Sequence, residues 1–144
     1  KFEVAPKPFD IIPFESNKEE KEITGHDRFT DKFTGTARLQ LKTLAPLHIG
    51  AGMWEVINEE VVRDFVTVNG KEAIPGSSLK GAFRTVSETI SRSCVCKTKQ
   101  KYLSHGNLKE CVIKNYNDGI CPTCGIFGAM GYKGRVSFSD ASFL

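Results

Sequence analysis

The chain of 144 residues is 40% hydrophobic and 10% aromatic and carries a formal net charge of +3, the composition of one ordinary globular domain. No run approaches the roughly 20 apolar residues that a bilayer-spanning helix requires. The opening Lys1-Phe2-Glu3 is not the charged-then-apolar start of a secretory signal, so neither a membrane protein nor a secreted one is expected. The net charge is too small to argue for nucleic acid, yet it is uneven. Residues 1–35 hold six Lys/Arg and eight Asp/Glu, while residues 36–144 hold fourteen and nine, a bias that favours polyanion contact in the later part.

With no initiator Met, the sequence reads as a piece of something longer. Residues 1–32 are expected to be an extended arm or linker: Pro6, Pro8 and Pro13 break any period, and Glu15 to Glu22 is a charge-rich run. Phe9, Ile11, Ile12 and Phe14 could pin that arm to a core. From residue 33 onward a domain begins. Ala37, Leu39 and Leu41 alternate with Arg38, Gln40 and Lys42, the period of a half-buried strand. A glycine loop follows at His48-Ile49-Gly50-Ala51-Gly52, then Met53 and Trp54 in a stretch without core-like period. Val61 to Ile74 reads as a hairpin turning at Asn69-Gly70.

Pro75-Gly76-Ser77 opens the clearest helix, in which Leu79, Ala82, Phe83, Val86 and Ile90 form an apolar stripe. Ser77 or Ser78 is expected to cap its free N–H groups. Gly81 costs a helix interior about 1 kcal/mol relative to Ala, and Lys80 and Arg84 are like charges four apart. Both features fit a phosphate backbone lying against this face near the helix N-terminus, or an ordinary helix with a basic solvent face. Residues 93–125 are expected to be an irregular insertion, and Val136 and Phe138 a final short strand ending at Asp140-Ala141.

All five cysteines fall in that insertion. An odd count fits a reducing compartment with a metal site better than a disulfide framework. Cys121-Pro-Thr-Cys124 has the spacing of a zinc knuckle. Cys111 is the natural third ligand, and the fourth is Cys96, with Cys94 as alternate and His105 behind both. Four thiolates would close the coordination shell of a Zn²⁺ ion and leave no position for water, so the site should be structural. Lys97, Lys99, Lys101, Lys109 and Lys114 decorate the insertion as RNA contacts or as a soluble basic loop.

Four of these segments resemble, in order and spacing, the RAMP superfamily of CRISPR effector proteins. They are His48–Gly52, Ile74–Arg84, Cys121-Pro-Thr-Cys124-Gly-Ile-Phe127-Gly128, and Gly134 through Ser139-Asp140-Ala141. Gly25-His26-Asp27-Arg28-Phe29 resembles the lead-in of longer members. The likeness is closest to type III backbone subunits, or to one such domain of a fused type III effector. It implies an α+β fold, a modified ferredoxin-like (RRM-like) domain that is incomplete in this chain. It also implies a cytoplasmic prokaryotic protein that stacks with other RAMP subunits or domains along a CRISPR guide RNA paired to target RNA.

The same likeness places His48, the Gly50–Gly52 loop, Lys80 and Arg84 near guide phosphates, and Ser77, Ser78 and Lys133 are expected as further RNA-binding residues. It places Met53–Glu60 where a thumb kinks the duplex, with Trp54 either a core ring or a wedge against a base. Target-cleaving members use an Asp in that loop. Here its position holds Asn58, which cannot act as a carboxylate toward metal or proton, so a non-cleaving copy is expected. Glu59, Glu60 or Asp64 with Mg²⁺ remain the alternative, as an endoribonuclease.

Overall fold

A computed structural model describes residues 18–23, 25, 33–96, 108–115 and 117–143. It contains strands β1 (Gly50–Ile57), β2 (Glu60–Phe65), β3 (Thr67–Val68) and β4 (Lys71–Ile74), then helices α1 (Gly76–Ile90) and α2 (Pro122–Phe127), and finally β5 (Ala141–Ser142). Helix and short antiparallel strands together make the α+β class that the sequence implies. Two compact units result: Thr24–Ala82 with Val136–Leu144, and Lys1–Ile23 with Phe83–Arg135. The boundary between them falls inside α1, after Ala82.

The first unit is built from two hairpins rather than one. β1 pairs antiparallel with β2, Trp54 opposite Arg63 and Ile57 opposite Glu60, and the register shifts between Gly50 and Trp54. Gly52, at φ +84°, lies in that irregularity, where a left-handed residue lets the strand gain its extra length. The two-residue turn at its tip is Asn58-Glu59, both left-handed at φ 50° and 68°, the backbone that matches strand twist in a tight hairpin. The second hairpin, β3–β4, turns at Asn69-Gly70 with φ 53° and 75°, as the sequence predicts.

The missed strand was β1. All eight of its residues are exposed, so no buried face imposes an alternation that a sequence reading could detect. Conversely, the strand expected around Ala37 to Leu41 does not form, and Leu39 and Leu41 are exposed. An alternating pattern becomes a strand only where a neighbour takes up its backbone hydrogen bonds.

The last strand is also displaced, from Val136–Phe138 to Ala141–Ser142, which pairs with β4. The preceding residues are committed to the start of α1. The Val136 carbonyl accepts from Lys80 Nζ at 3.1 Å, and Asp140 Oδ1 accepts from the Gly76 N–H at 2.7 Å. Asp140, not Ser77 or Ser78, thus caps the helix. Both serines are exposed. Gly76 is buried, and a Cβ there would run into the backbone of Phe138 and Ser139, so only glycine lets the two segments come this close.

The second unit has a core made largely of sulfur. Cys94, Cys111, Cys121, Cys124 and Ile120 are buried together, with Ile23, Cys96, Ile113, Ala129 and Tyr132 packed on them. Residues 18–23 of the predicted arm belong here. Lys21 bridges antiparallel to Ile120 through two N–H···O bonds of 3.0 Å, and the Glu19 N–H donates to the Arg92 carbonyl at 2.9 Å. Gly25 is the one described residue of the Gly25–Phe29 lead-in, and Phe9 to Phe14 lie outside the described residues.

Within this unit α1 is turned over relative to expectation. Phe83, Val86 and Ile90 of its apolar stripe are 41%, 57% and 70% exposed. Arg84, Ser87 and Glu88 are the partly or fully buried face instead. Ser87 Oγ and Thr123 Oγ1 lie 2.8 Å apart, Ser91 Oγ is 2.8 Å from Ser93 Oγ and 3.2 Å from Thr123 Oγ1, and the Thr123 N–H donates to Ser93 Oγ at 3.1 Å. A buried polar face is tolerable because its members satisfy one another.

Candidate metal centre

Cys121 caps α2: Pro122 follows at the first helical position and the Cys121 Sγ accepts the Cys124 N–H at 3.5 Å. Pro fits there because that position's N–H has no partner within the helix. The result presents both knuckle thiols to one point. Cys94 Sγ lies 3.4 Å from Cys124 Sγ and 3.6 Å from Cys121 Sγ, and the Cys121 N–H points to Cys111 Sγ at 3.5 Å.

The Sγ atoms of Cys94, Cys111, Cys121 and Cys124 all lie within 4.8 Å of one another, and all four residues are buried. A tetrahedral ion with metal–sulfur bonds of about 2.3 Å holds its sulfurs about 3.8 Å apart. Disulfides would need about 2.05 Å, and all five cysteines are free. Four buried thiols so placed can hold a metal ion. Among the described residues they are the only group of three or more metal-ligand side chains.

The fourth member is therefore Cys94, the alternate, in place of the preferred Cys96. Cys96 Sγ stands 3.7 Å from Cys94 Sγ but is taken by Arg84, whose Nη2 donates to it at 2.8 Å. The same Nη2 reaches Cys124 Sγ at 3.4 Å, Nη1 donates to the Gly128 carbonyl at 2.9 Å, and Nε donates to Glu88 Oε1 at 2.9 Å. These four bonds turn the Arg84 guanidinium toward the thiols, where the sequence reading set it on a phosphate. Its fork is consumed by two sulfurs, a carbonyl and a carboxylate, because crowded thiols need donors more than the helix needs a basic outer face. His105, Lys97, Lys99 and Lys101 lie outside the described residues, while Lys109, Lys114 and Lys133 are exposed.

The thiols polarise one another. Hydrogen bonds from Cys111, Cys124 and Cys94 pull Cys121 well below the ordinary thiol range, and bonds to Cys111, Cys121 and Cys124 push Cys94 up. The Cys121 bond pushes Cys111 up, but those with Cys124 and Cys94 outweigh it and lower it to about 7. Bonds with Cys124 and Cys94 and the Arg84 charge bring Cys96 down to about 2. Crowded thiols of this kind compete for one another's protons, and a metal cation would supply positive charge to all of them at once. Burial raises the Glu88 pKa despite the Arg84 bond. Burial also works against the Lys18 ammonium, but Glu20 and the Cys111 and Cys94 sulfurs outweigh it and raise its pKa.

Lys18, Glu88 and the hydroxyl group of Ser87, Ser91, Ser93 and Thr123 were not anticipated. The only signal in the sequence was the polar repeat Arg84, Ser87, Glu88, Ser91 at helical spacing.

The remaining candidates stand in the other unit. His48 packs edge-on to Phe65 with ring centroids 5.7 Å apart, and Gly50 pairs with Phe65 at the base of the β1–β2 ribbon. Trp54 is 61% exposed, with the Arg63 guanidinium 4.5 Å over its ring. It is no core ring. Glu59 sits at the hairpin tip beside Asn58, Glu60 opens β2, and Asp64, near its far end, has Oδ1 accepting the Phe65 N–H at 2.7 Å. No helix among the described residues is long and apolar enough to cross a membrane.

An α+β chain with an exposed strand ribbon and a buried tetrathiol centre is the class of molecule these features define. The RAMP superfamily model matches residues 40–144, and the chain belongs to that superfamily, which is associated with CRISPR RNA binding and CRISPR complexes. No curated protein matches the chain.

Proposed function

We propose that this chain is a guide-RNA-binding segment of a type III CRISPR effector, in which it grips guide phosphates and positions the guide–target duplex without cutting. The observation that carries the reading is the β1–β2 ribbon: eight exposed residues in β1, and an exposed Trp54 with Arg63 laid over it. A two-stranded ribbon is marginal alone in water, and an aromatic with a cation on its face is a stacking platform for bases. His48, Gly50, Gly52, Ser77, Ser78 and Lys80 lie in the same unit and supply backbone contacts, and Lys133 of the other unit is a further guide contact in its own right. Target RNA and further RAMP subunits or domains are the expected partners, in a prokaryotic cytoplasm.

Zn²⁺ is the metal that four thiolates favour. In this reading Cys94, Cys111, Cys121 and Cys124 hold it as a structural ion worth on the order of 10 kcal/mol to folding. Asn58 has a local reason to be where it is, since Asn tolerates the left-handed turn position better than most residues. Fluorescence anisotropy with labelled single-stranded RNA tests the ribbon. Trp54→Ala should weaken binding about tenfold, in line with about 1–3 kcal/mol per stacked base, and leave the salt slope unchanged. Equal affinity for wild type and Trp54→Ala would refute the ribbon as the RNA platform.

One observation favours a second reading, as an endoribonuclease. Glu59 is neither glycine nor asparagine, yet it is held at φ 68° at the exposed tip, and strain of this kind gathers at functional positions. Complementary labelled RNA with Mg²⁺ would show regularly spaced cuts that vanish in Glu59→Ala if that reading holds.

A further inference from the structure

Two cations reach the thiol centre from separate parts of the chain, and each is braced by its own carboxylate. Arg84 lies between Glu88 and the sulfurs of Cys96 and Cys124. Lys18 lies between Glu20, 2.5 Å from its Nζ, and Cys111 Sγ, at 3.9 Å, with its side chain only 14% exposed. Lys18 begins the stretch whose backbone pairs with Ile120, the residue immediately before Cys121. Glu20 closes over Gly119, where a Cβ would meet its carboxylate, and Ile23 packs on the cysteine core. The stretch 18–23 is thus seated on the segment that carries two of the thiols.

We propose that residues 18–23 dock on the metal-loaded centre, with Lys18 as the residue that couples docking to metal binding; this rests on the metal-site reading above. Four coordinated thiolates around a divalent ion leave two net negative charges on the sulfurs. An N–H donor at Cys111 gains from that charge, and the ion fixes the segment from Cys111 to Cys121 to which Lys21 pairs. Partners that hold metal-bound groups in place commonly alter affinity by about 10–100-fold when removed. Coupling is reciprocal: whatever docking adds to metal affinity, metal adds to docking.

The test uses the full chain and Zn²⁺ alone, in competition with a chromophoric chelator. A parallel assay follows the rate of cleavage after Glu19, Glu20 and Glu22 by a glutamate-specific protease. Wild type should bind one Zn²⁺ and be cut at least about tenfold more slowly with it. Lys18→Gln should lose about tenfold in Zn²⁺ affinity and most of that protection, and Lys18→Arg should restore both. One Zn²⁺ bound with wild-type affinity by Lys18→Gln, together with cleavage that ignores metal in the wild type, would overturn the coupling and leave the metal site standing. A wild-type chain that takes up no Zn²⁺ would remove both.

Discussion

The two units solve the problem of a small core in opposite ways. Phe83–Arg135, with residues 18–23, encloses sulfur and hydroxyl groups and turns the apolar stripe of α1 outward: Val86 and Ile90 are exposed while Thr123, Cys94, Cys121 and Cys124 are fully buried. Among its described residues, Thr24–Ala82 with Val136–Leu144 buries only Ala73 and Gly76 and exposes Met53, Trp54, Val56, Ile57 and Val61 along one ribbon. The sulfur unit is self-contained once its donors and sulfurs are satisfied. The hairpin unit leaves a run of apolar residues exposed among its described residues.

The largest effect should come from breaking the sulfur core. Cys121→Ser removes a knuckle ligand, while the serine hydroxyl still caps α2. The unit that holds Phe83–Arg135 should then lose the stabilisation of about 10 kcal/mol that a structural zinc supplies, read as loss of bound metal and of hydrogen-exchange protection. Acid should act in the same direction. Thiolates must be deprotonated to hold the ion, so metal is retained at neutral pH and released as pH falls. Exchange protection of the β3–β4 hairpin should outlast both treatments, and simultaneous collapse would break the contrast between the units.

A smaller effect is expected from the hydroxyl group. Thr123→Val preserves shape but leaves Ser87 and Ser91 with one partner fewer, at a cost of about 1–3 kcal/mol, measurable as a lower denaturation midpoint with metal stoichiometry unchanged. Asp140→Ala strips the cap from the Gly76 N–H and should cost about 1 kcal/mol. Gly81→Ala is the mildest change. A Cβ there meets nothing within 4 Å, so thermal stability should rise by about 0.5–1 kcal/mol. If the helix start lies against an RNA backbone, RNA affinity should fall in the same variant.

What the sequence made legible follows the same division. Local punctuation was readable: Pro75-Gly76 opened α1, Asn69-Gly70 turned a hairpin, and the spacing of Cys121 and Cys124 marked the knuckle. What failed depended on what lies opposite an element. The stripe Phe83, Val86, Ile90 reads as inward, but the inner neighbour of α1 is a thiol cluster that demands Arg84, so the helix turned its polar side in. β1 was hidden because both its faces are exposed, and periodicity reports burial rather than pairing. The choice of Cys94 over Cys96 was likewise set by Arg84, ten residues before Cys94, and spacing among cysteines carries no record of it.

The central claim, that the ribbon meets RNA while the sulfur core only supports the fold, is tested most directly by hydrogen exchange of the metal-loaded chain with and without a guide-length single-stranded RNA. New protection is expected at Gly50–Phe65, with unchanged exchange at Cys111–Gly128. Protection that appears at Cys111–Gly128 and leaves Gly50–Phe65 unaltered would contradict it.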